Sequence, residues 1–130
     1  MATTSFTTIY DYFWVHCTDE DKKIATSYKA KEYLRAIFAD FITYIDDEAS
    51  IDYTSELITT TDTMTEVEKN LLGLMLYKKH IEIQNVKYGK LFGLVSDSHK
   101  INNVDSTKKA LREILNDTED KINNMLATFL

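Results

Sequence analysis

The stretch TEVEKNLLGLMLYKKHIEIQNVKY, residues 65–88, decides the fold. Thr65 and Glu68 have the spacing of a capping box, in which the threonine oxygen accepts from the third helical N–H and the glutamate reaches back to the cap. Apolar residues follow at Val67, Leu71, Leu72, Leu74, Met75, Leu76, Ile81 and Ile83. They wrap more than one side of a helix, so this helix is expected at the centre of the molecule rather than on its surface. Gly89 is its natural stop. Gly73 sits in mid-helix, where it costs about 1 kcal/mol of helix propensity, and it therefore predicts close approach of another helix.

The rest of the chain suits that centre. It has 130 residues, no proline and three glycines, a poverty of turn residues that favours long helices over a sheet-rich fold. With 44% hydrophobic residues it can bury a core as one domain and lacks the composition of a disordered chain.

Upstream, residues 1–4 read as a loose arm, followed within 1–17 by a short helix. Ser5 or Thr7 caps it, and Ile9, Tyr10, Phe13, Trp14 and Val15 form an aromatic anchor for this core or for a neighbouring subunit. Thr18, followed by Asp19, Glu20 and Asp21, opens a helix expected to run unbroken through residues 18–45. Its apolar face is Ile24, Tyr28, Leu34, Ile37, Phe38, Phe41, Ile42 and Ile45. Residues 46–64 break the pattern with Asp46, Asp47, Glu48 and Asp52, and read as a long acidic loop with room for a short extended piece at Leu57 to Thr60.

Downstream, residues 89–104 read as a polar connection. Asp105 or Ser106 caps a last helix in residues 105–130, with Ala110, Leu111, Ile114, Leu115, Ile122, Met125, Leu126 and Phe129 on one face and Thr118 as its polar interruption. Its apolar end at Met125, Leu126, Phe129 and Leu130 suits either the domain's own core or a partner surface. The expected fold class is thus all-α, a small bundle of three long helices plus a short N-terminal helix.

Chemistry-bearing residues are sparse. His16 and Cys17 are adjacent but have no second pair at metal-ligand spacing. Asp46, Asp47, Glu48 and Asp52 lack the alternating oxygens and central glycine of a calcium loop. Asp97, Ser98 and His99 are sequence neighbours, whereas a hydrolytic triad is a spatial arrangement, so a turn is the reading there. His80 has no Glu-x-x-His or His-x-x-x-His companion and reads as an interfacial or solvated residue. Glu66 and Glu68 serve the helix cap and dipole. No catalytic, metal or cofactor site is expected, and the chain is not expected to be an enzyme.

The net charge of -6 argues against a nucleic-acid-binding groove. The acidity is lopsided: residues 1–65 carry five Lys/Arg against twelve Asp/Glu, residues 66–130 ten against nine. Cys17 is the single cysteine, which excludes an internal disulfide and suits a reducing cytoplasm. No run of the sequence has the length of a membrane span or the form of a signal peptide, so neither membrane association nor export is expected.

The order of elements resembles a family of small phage head–tail connector proteins, the adaptor or head-completion proteins of phages of low-GC Gram-positive bacteria. The resemblance lies in a long helix ending at Phe41 to Ile45, then an irregular acidic stretch, then Thr65-Glu66-Val67-Glu68 opening a helix with Leu71, Leu72, Leu74 and Met75. It continues through Ser96-Asp97, Lys100-Ile101-Asn102 and Lys109-Ala110-Leu111-Arg112, covering residues 28–130. The aromatic N-terminal segment departs from the family pattern.

The resemblance implies a helical virion protein, made in the host bacterial cytoplasm and placed in the head–tail neck. It would form a homo-oligomeric ring beneath the portal protein, let packaged DNA pass without sequence-specific binding, and dock the next neck or tail completion protein. Asp46, Asp47, Glu48, Asp52, Met125, Leu126, Phe129 and Leu130 would then be interface residues. The alternative is a small acidic helical module that binds a host or phage protein as a regulator.

Overall fold

In the computed structural model of the chain, backbone structure is described for residues 1–95 and 101–127, and side chains for residues 1–87 and 109–127. Within these bounds the chain is mostly helical. Its elements run β1 (Ala2–Ser5), α1 (Phe6–His16), α2 (Asp19–Ile24), α3 (Ser27–Tyr44), β2 (Ser50–Asp52), β3 (Leu57–Thr60), α4 (Glu66–Val95) and α5 (Ile101–Ala127).

The central helix is α4. Its capping box is formed: Thr65 N–H donates to Glu68 Oε1 at 3.0 Å and Glu68 N–H donates to Thr65 Oγ1 at 3.1 Å. Residues 71–77 are all buried, because α1, α3 and α5 each pack against α4. A Cβ added at Gly73 would lie 2.8 Å from Tyr12 C and Cβ and 3.0 Å from Phe13 N. The glycine therefore lets the backbone of α1 rest on α4. Phe6, Ile9 and Phe13 on α1 are fully buried, so the aromatic segment anchors its own core.

Three expectations change. First, the fold is not all-α: three strands form a sheet in the order β1-β3-β2, both pairings antiparallel. The extended piece at Leu57–Thr60 is β3, but the supposed loose arm is β1, pairing Thr4 with Ile58 and Ser5 with Leu57. The supposed loop at residues 46–64 is largely a β-hairpin. Strands of three or four residues are too short to show alternation, and pairing across some 55 positions leaves no local signature.

Second, the helix expected over 18–45 is two helices. Thr18 and Thr26 each act as an N-cap, accepting from Asp21 N–H and Lys29 N–H, and Ala25 between them leaves the helical region. The break shifts the buried face to Ala30, Tyr33, Leu34, Ile37, Phe38 and Phe41, and leaves Tyr28 73% exposed.

Third, α4 runs past Gly89 to Val95 and α5 starts at Ile101 rather than at Asp105 or Ser106. The two helices pack along each other, and such packing outweighs one glycine's propensity cost. Thr118 is, as expected, the polar position on the apolar face of α5. It is buried and donates its hydroxyl to Ile114 O at 2.7 Å. Residues 96–100, with the Asp97-Ser98-His99 turn, and residues 128–130 lie outside the described residues.

Candidate functional site

The four acidic residues singled out in the sequence shape the hairpin that presents them. Asp46 Oδ1 accepts from Glu48 N–H at 3.0 Å, and Asp46 Oδ2 accepts from Thr61 N–H at 3.4 Å. Glu48 Oε2 accepts from the Thr61 hydroxyl at 3.2 Å. These bonds fasten the strand entering β2 to the chain leaving β3. At the hairpin tip Asp52 Oδ1 accepts from Thr54 N–H at 2.9 Å and Ser55 N–H at 3.3 Å. The Thr54 N–H, followed by those of Ser55, holds the Asp52 carboxyl below the usual carboxylate range.

Asp47, Glu48 and Asp52 are exposed and Asp46 is half-buried. From Ala36 to Glu68 the sequence has nine Asp or Glu and no Lys, Arg or His, so this end of the molecule is strongly negative. Short polar bonds leave most of that charge facing water.

Two basic residues of α3 hold the hairpin tip to the body. Lys31 pairs with Glu56 at 3.6 Å, and the Arg35 guanidinium lies 4.2 Å from the centre of the Tyr53 ring. Glu56 has φ of 57°, a left-handed conformation that costs a non-glycine residue about 1 kcal/mol. Its carbonyl accepts from Phe6 N–H at 3.0 Å, joining the tip to the start of α1.

The interface residues expected on the last helix fall elsewhere. Met125 and Leu126 are half-buried against the core, while Phe129 and Leu130 lie outside the described residues. Leu126 lines a groove of about 300 Å³ with Ile37 and Asp40 of α3, Met75 and Lys79 of α4, and Ile122 of α5. None of the four hairpin carboxylates lines it, so the two expected contact regions are separate surfaces.

His80 is the residue the sequence reading misplaced. It is 0% exposed. Its Nε2 lies 2.9 Å from Asp21 Oδ1 and its Nδ1 lies 3.1 Å from the Tyr33 hydroxyl. A carboxylate only accepts, so Nε2–H donates to Asp21, and in the neutral ring Nδ1 accepts from Tyr33. The only sequence signal was that His80 follows the apolar run of α4; the distant partners Asp21 and Tyr33 had none. Burial, followed by the charge of Asp21, pushes the Cys17 thiol up to about 12, leaving very little thiolate at neutral pH. Histidine, carboxylate and thiol thus meet here with both ring nitrogens already bonded and the sulfur protonated.

Comparison of the chain with protein-family models, curated proteins and solved structures found no match. Among the described residues, no group of three His, Cys, Asp or Glu side chains is placed to hold a metal ion. No helix among them is long and apolar enough to cross a membrane.

Proposed function

We propose that the chain is a structural component of a phage neck, a head–tail connector that assembles as a ring beneath the portal, extends the DNA channel and docks the next neck or tail component. The observation that carries this reading is the order of elements around residues 36–68. A long helix closes near Ile45, six carboxylates follow without one basic residue, and a capped central helix then begins. The role asks for a rigid body with presentable surfaces and needs no catalytic group.

The negative hairpin suits a channel through which DNA must slide. Holding phosphates takes Lys and Arg with release of counterions, whereas a surface of carboxylates repels them. The packed helices supply stiffness. The acidic hairpin and the α3–α4–α5 groove are two separate faces for neighbours, as a ring component with different partners above and below requires.

The test is quantitative protein analysis of purified virions, with co-purification against the portal protein. The connector reading predicts a fixed multiple of copies per particle and a portal-bound form. A chain absent from particles and never associated with a portal contradicts it. A salt-sensitive complex with a basic host or phage protein in its place would support the regulatory module instead.

A further inference from the structure

Helix α2 is held unlike any other helix in the molecule. None of its six residues is buried. Among the described residues, one hydrogen bond or ion pair ties it to another element, the 2.9 Å contact from Asp21 to His80 on α4. Cys17 on one side and Ala25 on the other do pack against the core, so α2 is anchored at both ends and by a single carboxylate between them.

Its two junctions are built as hinges. Cys17 and Thr18 are extended, as are the dihedrals of Thr26, and Ala25 is also non-helical. Thr18 caps α2 in a box with Asp21, while Thr26 independently caps α3. Moving α2 therefore removes no cap from its neighbours: α1 ends before it at His16 and α3 starts on its own threonine.

Asp21 reaches into a cluster unlike a plain apolar core. The His80 ring contacts those of Tyr33, Tyr77 and Phe13, with centroids 5.8, 6.5 and 6.3 Å away. Asp21 and Cys17 both act on the Tyr33 and Tyr77 hydroxyls, whose ionisation burial already opposes.

We propose that α2 is a hinged lid over His80, latched by the Asp21–His80 bond and turning at residues 17–18 and 25–26. Opening breaks one charge-assisted hydrogen bond and frees Nε2 of the buried His80 imidazole, leaving the α1–α3–α4 packing in place. The lid does not depend on the connector reading.

Hydrogen exchange of the full chain, read by peptide mass spectrometry in water and in low urea, tests it. Asp21→Ala should speed exchange of residues 18–25 by about tenfold or more, the loss expected for a charge-assisted bond, with residues 66–82 unchanged. Thr18→Ala, which removes the threonine's half of the capping box but keeps the latch, should speed it clearly less. In the unaltered protein, exchange of residues 18–25 should barely respond to low urea, because a local opening exposes little new surface.

The lid is overturned if Thr18→Ala matches Asp21→Ala, or if α4 and α2 accelerate together. It is equally overturned if exchange of residues 18–25 in the unaltered protein follows urea as steeply as global unfolding does, a result that stands even should Asp21→Ala fail to fold.

Discussion

The contact of α1 with α4 and the acidic hairpin are held by opposite means. At Gly73 two helices meet so closely that one added carbon would strike backbone at 2.8 Å, and Phe13 and Leu72 are fully buried. At the hairpin, strands of three and four residues are fastened by carboxylates that accept from nearby N–H and hydroxyl groups while most of their charge faces water. The first region fixes shape through packing density. The second fixes charge through surface chemistry, and each can be altered without the other.

Substitutions that break this contrast should fall in a definite order. Phe13→Ala has the largest expected effect, a loss of about 3–5 kcal/mol, read as a lower urea midpoint. Gly73→Ala comes next, at about 1–3 kcal/mol, because α1 must move off α4 to admit the methyl group; a stability equal to the parent's would mean that α1 is not seated there. Thr65→Ala should cost about 1 kcal/mol through loss of the cap, with the thermal midpoint as readout.

Asp52→Asn should act through pH. The lowered carboxyl pKa means that the charged form favours the folded state. Its contribution is complete above the ordinary value of about 3.9 and is lost as pH falls through the lowered value. The variant should therefore lower the neutral plateau slightly and flatten the acid limb of a stability–pH curve, meeting the parent's curve at the acid end. The smallest effect belongs to Asp47→Asn with Glu48→Gln, expected within about 0.5 kcal/mol of the parent. A large loss of stability there would remove the distinction between the regions.

The same contrast explains which features were legible in the sequence. Thr65 with Glu68, the apolar run of α4 and mid-helix Gly73 are local signals, and each gave a correct local expectation: a capped, buried helix touched closely by another. Thr18 was legible as a cap for the same reason, and so was Ser5 as one of two candidates with Thr7. The partners of β3 were not, since β1 is Ala-Thr-Thr-Ser and its register with residues 57–60 is set across half the chain. The break at Ala25 was hidden because Ile24 and Tyr28 continue the spacing of a helical face that the folded chain does not use. His80 looked solvated because the residues that satisfy it, Asp21 and Tyr33, are 59 and 47 positions away.

Of the proposed contact residues, the four carboxylates were legible as one acidic segment, though not as a hairpin. Met125 and Leu126 were legible as apolar positions of the last helix, and they lie half-buried against the core. No pattern in the sequence foretold the groove that Leu126 helps to line, because it needs α3, α4 and α5 together.

The most direct test of the connector account is an image of the particle neck at a resolution that locates this chain. The account predicts a closed ring of this fold between the portal and the next neck component, with residues 46–62 of every copy on the channel or a subunit contact. A neck fully accounted for by other proteins, with no density for this fold, would contradict it.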